Sequence, residues 1–474
     1  MSQKGKTIKI APVSRVEGHG AVTIQLDQQG NVADAHFHVM DVRGFEMFMQ
    51  NRPVEEAQRI ATRMCGICPV SHHLASAHAA DALYGVDPPR TAKMLRELMH
   101  HGQMIHSHTL HFFYLAAPDL LLPNTGPEER HVVTLLKKNP DLVGKIIRLR
   151  QVGQNLIEAT GGRAIHPVTA QPGGISQPLS EEKRDDLLKQ VNEAQSLATE
   201  LLPVVRPLLD KVELLDELQT GYLGLVTPKG ELEVYQGNLR MIDSTGKKLA
   251  EFPVKDYLKY IGEHVTDYSY LKFPFYRPWG WPKGIYRVGP LGRINVADDM
   301  STPLAREEYT TIKAKFDKPW NHTFLYHWAR LTEILNSVEK AHQLLTDSHI
   351  TDTDVTREFT IKGGQGIGVI EAPRGTLIHH YTANPDGILT KVNLIVSTVG
   401  NNGGMDQGVK NMAQRHIKHG KINQQIENSI EMVVRAYDPC LSCAVHAVNG
   451  HMAMRIKVLN HLGETTQIIQ NFEE

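Results

Sequence analysis

The 474-residue chain holds four cysteines, and they fall as two CxxC pairs: Cys65 with Cys68 near one end, Cys440 with Cys443 near the other. With no thiol left over, the pattern points to one four-thiolate metal site that draws on both pairs. A CxxC lets two thiolates reach one metal from a single tight segment. Two such pairs can close a tetrahedral shell or hold a binuclear centre with bridging sulfurs, and spacing alone leaves both open. Structural zinc is the plain alternative, but zinc ribbons and fingers close short loops, and a structural site needs no local supply of acids, bases and guanidinium. Here Arg15, Glu17, His19, His72, Arg374, Asp438 and His446 stand in short polar stretches of the kind that supply them.

The rest of the chain has to bring the two ends together. Residues 53–64 predict a helix that delivers the first CxxC from its C-terminal end, with Pro53 at the first turn and Glu55 and Glu56 where the helix dipole favours them. Residues 71–83 predict a second helix. Residues 91–117 carry an apolar periodicity through Met94, Leu98, Ile105, Phe112 and Leu115 that predicts a long, largely buried helix. Further helices are expected over 128–159, 180–217, 303–346, 406–418 and 423–436. Ser180 is a cap for the 180–217 helix, which Pro203 and Pro207 should bend or break. The helix over 423–436 delivers the second CxxC.

Strands are expected over 7–42, including a hairpin turned at Gln28-Gln29-Gly30-Asn31, with a polar corner at 14–20 between the first strand and that hairpin. Residues 231–235 and 239–242 also read as strands, as do 368–381 and 391–398, the last two around Asn384-Pro385-Asp386-Gly387. The tail, through 454–459 and 465–469, reads as a small β-hairpin. No repeat, low-complexity tract or linker interrupts this pattern. The fold class is α+β and helix-rich: one large domain with long core helices and small peripheral sheets.

Lys plus Arg number 51 and Asp plus Glu 52, so no net field favours nucleic acid or an anionic membrane. Histidine, at 25, is abundant and suits proton relay and support around a metal. No stretch approaches 18 uncharged apolar residues and the N-terminus lacks an apolar signal region, so the expected location is the cytoplasm with no membrane span. The glycines at 363, 364, 366 and 368 do not fit the dinucleotide fingerprint, because they run into a strand and not a helix.

Arg63-x-Cys65-Gly66-x-Cys68 with His72, and Asp438-Pro439-Cys440-x-x-Cys443-x-x-His446, resemble the two nickel-binding signatures of nickel-iron hydrogenase large subunits. The resemblance extends to Arg15-Val16-Glu17-Gly18-His19, Arg43-Gly44-Phe45-Glu46 and Glu371-Ala372-Pro373-Arg374-Gly375, in the family's order and across nearly the whole chain. It implies the large-subunit fold over residues 1–446 and an enzyme that reversibly splits H2 into protons and electrons. Cys65, Cys68, Cys440 and Cys443 would bind nickel, with Cys68 and Cys443 bridging to an iron that carries carbon monoxide and cyanide, and Cys65 and Cys440 terminal. Cys440 would pass its proton to Glu17. Arg374, in the turn with Pro373, would hydrogen-bond one cyanide, Thr398 would face the other, Asp438 would support Arg374, and His72 would support the cluster. Glu46 and His446 match positions that bind magnesium or a similar ion. Taken singly, Glu17 also reads as a corner carboxylate paired with Arg15, Arg374 as a surface turn residue, Asp438 as a cap of the Asp-Pro turn, and Thr398 as an ordinary strand threonine.

With no spare cysteine for an iron-sulfur cluster, electrons must leave through a partner. The resemblance implies a small subunit with iron-sulfur clusters and a maturation protease that cuts after His446, releasing 447–474. Residues 110–117, 161–169 and 268–274 are most similar to the cytoplasmic multimeric group, of the F420-non-reducing, viologen-reducing type that supplies a heterodisulfide reductase. The NAD-linked bidirectional type, with a diaphorase as electron-transfer partner, is the runner-up.

Overall fold

Long helices form where apolar residues recur around most of the circumference, and four of them make the core. The computed structural model describes residues 6–39, 41 and 43–445, together with the backbone of 455–459 and 465–470. Helix α3 (Arg90–Leu110) is buried from Thr91 to Thr109 with few interruptions. It packs on α4 (Pro140–Gly161) and α7 (Leu325–Thr346), and α5 (Glu181–Leu209) closes the layer against both α4 and α7. Each fully buried leucine or isoleucine here, such as Leu98, Ile105 or Leu156, contributes roughly 1.5–3 kcal/mol of transfer free energy.

Helix α1 (Val54–Ala61) leads into α2 (Pro69–Tyr84), which lies across the three-stranded sheet of β8 (Gly364–Ala372), β9 (Gly375–Ala383) and β10 (Leu389–Ile395). Two more small sheets sit outside the helices. One is the antiparallel β1 (Thr7–Ile10), β2 (Gly20–Leu26) and β3 (Val32–Val39). The other is ordered β7 (Tyr286–Arg287), β4 (Gly221–Val226), β5 (Asn238–Ile242), β6 (Lys248–Phe252), with α6 (Gly289–Val296) between β4 and α7. Helix α8 (Asn402–His416) packs on β3 and on α9 (Gln424–Ala436), which ends just before Asp438. The tail forms two paired strands, Arg455–Leu459 and Thr465–Gln470, as expected.

Several boundaries differ from the sequence reading. The helix expected over 91–117 is α3, then a wide π-helical turn at His111–Ala116, then a short helix at Ala117–Leu121. Residues 128–159 divide into Val132–Lys138 and α4, because Asn139 caps α4 with its side chain and Pro140 opens it. Helix α5 runs unbroken through Pro203 and Pro207, both exposed, so the carbonyls they free face water while Leu201, Leu202 and Val205 pack inward. Residues 303–346 form two helices, Pro303–Lys315 and α7. Residues 231–235 contribute only isolated bridges. The stretch 368–381 is two strands folded back at Pro373-Arg374, and β10 ends at Ile395, short of Thr398.

Candidate metal centre

All four cysteine sulfurs come together. They lie within 4.8 Å of one another, and the four residues are 1–4% exposed. Between the two motifs, Cys65 lies 3.2 Å from Cys440 and Cys68 lies 3.9 Å from Cys443. The Cys440 and Cys443 sulfurs are in direct contact. A tetrahedral thiolate shell at metal–sulfur distances near 2.3 Å has edges of about 3.8 Å; the Cys68–Cys443 separation matches this, while the Cys440 and Cys443 sulfurs stand closer than a ligated pair would. Four thiolates this deeply buried are untenable without a compensating cation.

Local folding explains the placement. Residues 62–64 tighten the end of α1, Cys65 turns extended, and α2 starts at Pro69 with Cys68 as its cap residue; the bond to Cys65, together with burial, pushes the Cys68 thiol up. The backbone N–H groups of Ile67 and Cys68 both donate to Cys65 Sγ at 3.2 Å. Burial raises the Cys65 thiol, but these bonds, the Cys68 thiol and the Arg374 charge outweigh it and bring the thiol below its ordinary value. On the other half, Asp438 adopts φ 55°, a left-handed position that aspartate tolerates better than most residues, and carries the chain from α9 into Cys440.

The residues singled out from the sequence surround the sulfurs. Arg374 is 2% exposed, not a surface residue. Its Nη2 donates to Asp438 Oδ1 at 3.0 Å, while its Nε and Nη1, buried, have no partner among the described residues. Burial works against the guanidinium, but Asp438, Cys68, Cys65 and Glu17 together raise it, so it stays charged. Two unsatisfied buried donors beside four sulfurs fit acceptor ligands carried by a bound metal. Asp438 is itself pushed up by burial, against the pull of Arg374 and Arg330. Thr398 stands in the turn before a short helix at Val399–Asn401, and its Oγ1 accepts from the Cys440 N–H at 3.0 Å.

Glu17 is half-buried. It is not paired with Arg15, whose guanidinium bonds Asp119 at 2.5 Å and Leu115 O at 2.8 Å. Instead Glu17 O accepts from the Leu441 N–H at 3.1 Å, and its carboxylate accepts from the Ser442 N–H at 3.2 Å and from the Ser442 hydroxyl. This contact needs Gly18: at φ 83° a Cβ there would lie 2.9 Å from both Leu441 Cβ and Ser442 N.

His72 bonds through Nδ1 to His379 Nε2 at 3.2 Å, and His379 Nδ1 bonds Tyr381 OH at 2.7 Å, which donates to Ser76 Oγ at 2.8 Å. Burial, with a smaller effect of Arg374, brings His72 down to about 4, so it is neutral near pH 7. Pro373 is the first residue of the two-residue turn between β8 and β9. Glu46 Oε1 accepts from the Leu394 N–H at 2.8 Å and Lys272 Nζ at 3.2 Å, and the same ammonium lies 3.1 Å from Glu263 and Asn393. His446 lies outside the described residues.

Sequence reasoning missed Ser442, Gln103, His100, His111, Arg293 and Glu333. Gln103 donates to Ile67 O at 2.8 Å, His100 Nε2 bonds Glu371 O at 2.9 Å, and His111 Nε2 bonds Arg435 O at 2.7 Å. The signal was present in the histidines of 100–111, which are too numerous for an ordinary core helix.

Fold and site define a metalloenzyme whose buried thiolate centre is shared between the two ends of one chain. Residues 43–123 and 231–446 match the family model for nickel-dependent hydrogenase, and 7–42 match a model described as HoxL-like. The chain is 45% identical to the vhc F420-non-reducing hydrogenase of Methanococcus voltae, over 93% of this chain and 95% of that one. It is 38% identical to NAD-reducing hydrogenase HoxS subunit beta of Cupriavidus necator, over 98% of each. Among solved structures, an NAD+-reducing [NiFe]-hydrogenase in the H2-reduced state superposes with a TM-score of 0.90 at 42% identity, covering 94% of this chain and all of that one. The chain belongs to the nickel-dependent hydrogenases as their large, catalytic component, an oxidoreductase acting on H2. A nickel-iron centre therefore takes the place of the structural-zinc alternative.

Proposed function

We propose that this subunit splits H2 at a nickel-iron centre held by Cys65, Cys68, Cys440 and Cys443, and passes the electrons to an iron-sulfur cluster of a small subunit. One observation carries the reading: four buried sulfurs from opposite chain ends lie within 4.8 Å of one another, beside a buried arginine with two unpartnered donors. Bound there, the centre supplies the Lewis acidity and redox chemistry that cleave H2. The crosswise sulfur contacts support Cys65 and Cys440 as the terminal pair and Cys68 and Cys443 as the bridging pair toward an iron bearing carbon monoxide and cyanide. Arg374, with two unpartnered donors, would donate to one cyanide, and Thr398 would face the other. Asp438 fixes the guanidinium, Pro373 shapes its turn, and His72 supports the cluster as a neutral imidazole.

Cys440 takes up the proton and Glu17 carries it outward. Glu17 suits that task because it is half-buried and bonded to Ser442, two residues from Cys440. Arg374, held charged by its acidic surroundings, is an anchor and not a base. Glu46 and His446 hold a magnesium or similar hard ion. Glu46 has a second carboxylate oxygen beyond the one bonded to Leu394 and Lys272 that could reach such an ion, whose remaining ligands would be water and backbone oxygens.

The electron exit lies over the first CxxC. Gly66 is exposed, and His166 ties residues 161–169 to the loop through a 2.9 Å bond to Thr62 O, with Ile165 and Val168 exposed on either side. A small subunit docking there brings its cluster close to Cys65 and Cys68. The protein works in the cytoplasm, and no described helix is long and apolar enough to cross a membrane. A maturation protease removes residues 447–474 after His446, the last position matched by the family model. The acceptor is a heterodisulfide reductase complex, in line with the 45%-identical F420-non-reducing relative. The NAD-linked alternative, with a diaphorase, is favoured by the 42%-identical NAD+-reducing structure.

Metal analysis and infrared spectroscopy of the purified complex test the reading. Nickel with carbonyl and cyanide bands is the expected result; zinc without nickel would overturn it. The proteins that copurify, heterodisulfide reductase or diaphorase, decide the acceptor.

A further inference from the structure

The turn that carries Arg374 is short, and its backbone is held by side chains from other elements. β8 and β9 remain paired up to Ala372 and Gly375, leaving only Pro373 and Arg374 to reverse the chain. Two-residue hairpin turns match the twist of their strands when φ is positive at the first central residue. Pro373 is locked near −65°, and Arg374 is not among the residues of positive φ. Gly375, at φ 139°, absorbs part of the mismatch.

Three successive carbonyls are held. Arg293 on α6 donates from Nη1 to Ala372 O at 2.8 Å and from Nη2 to Pro373 O at 3.3 Å. Asn401 donates from Nδ2 to Arg374 O at 3.2 Å. Both holders are themselves fixed. Arg293, fully buried, forms two 2.6 Å bonds with Glu333 on α7 and one of 2.9 Å with Glu371 on β8. Glu333 also takes His108 Nε2 of α3 at 2.8 Å. The Asn401 amide is oriented by Val288 N–H at 2.9 Å and Tyr326 OH at 3.1 Å, both on its Oδ1. A buried ion cluster of this kind is a poor stability device, since apolar packing of the same volume often does as well or better. Its geometry, with the fork of Arg293 on the turn's own carbonyls, suits placement.

We propose that Arg293 and Asn401 are positioning residues that set where the Arg374 guanidinium stands beside the thiolate cluster. The proposal rests on the reading of Arg374 as the donor to an iron-bound cyanide. A displacement near 1 Å at such a site costs roughly 100-fold in rate.

The test uses the complete enzyme complex and compares the parent with Asn401→Ala, Arg293→Lys and Arg374→Lys. Nickel content, infrared cyanide bands and H2/D+ exchange are measured on each. Asn401→Ala leaves the Arg293 ion cluster intact, so it carries the test where Arg293→Lys yields no folded protein. Expected are parental nickel content, cyanide bands displaced in the same direction as in Arg374→Lys, and exchange reduced roughly 100-fold. Bands moved by Arg374→Lys but unmoved by Asn401→Ala and Arg293→Lys would overturn the positioning role alone. Bands unmoved by Arg374→Lys would overturn the reading of Arg374, and the inference with it.

Discussion

Glu17 and Ser442 show how one contact can decide a residue's role. A carboxylate in a polar corner has two natural partners, the arginine two residues before it or something distant, and the structure chooses the distant one. Arg15 has φ 55°, which turns it toward Asp119 and leaves Glu17 free to meet Ser442. Ser442→Ala is expected to keep nickel but slow H2/D+ exchange by about tenfold, because it removes a hydrogen bond to a charged group worth about 1.5–3 kcal/mol; unchanged exchange would remove Ser442 from the proton path. Arg374→Lys keeps the charge and loses the fork, and its exchange rate should fall roughly 100-fold. The thiolates, Glu17, Arg374 and Asp438 were legible because their chemistry shows in short motifs. Ser442 was not, since a serine inside a CxxC has no spacing that marks it.

At the scale of elements, α3 is the common support. This helix bonds the first CxxC loop through Gln103 and the Arg374-bearing hairpin through His100, and the π-helical turn that continues it bonds the segment before the second CxxC through His111. Replacing His111 with alanine removes one bond to the Arg435 carbonyl, which keeps the Asp438 N–H at 3.0 Å, and so costs about 0.5–1.5 kcal/mol for the hydrogen bond alone. Chemical denaturation should show that loss, and metal analysis a lower nickel content; a variant of parental stability would mean that water replaces the imidazole. The existence of most helices was legible from apolar periodicity. Their ends were not: the π-helical turn after α3 keeps the same apolar pattern as the helix, and the exposed prolines of α5 look the same in sequence as prolines that break helices. The turn at Pro373-Arg374 was legible from its residues, but the apolar run over 368–381 hid that the turn folds two strands back on each other.

The whole molecule is unusual in burying so many histidines uncharged. Burial takes His73, His78 and His108 to about 4 and His106 to about 3. Their ordinary value is near 6.5. Between those values the unfolded chain binds more protons than the folded one, so stability rises with pH across that window and is lost as pH falls from about 6.5 toward 4. The midpoint of thermal unfolding should therefore drop steadily from pH 7 to pH 5, and a flat profile would contradict the neutral interior. Processing is also a property of the whole chain: the active enzyme's intact mass should lack residues 447–474, and a full-length mass would refute cleavage. The meeting of the two CxxC motifs was legible from the count of cysteines, two pairs with none left over, whereas the path of the chain that brings them together was not, since local patterns do not encode which distant segments touch. The proposed proton path runs from the buried thiolates through Glu17, and H2/D+ exchange by Glu17→Gln tests it most directly. This variant should bind nickel like the parent yet lose exchange. A nickel-loaded variant that still exchanges at the parental rate would contradict the path.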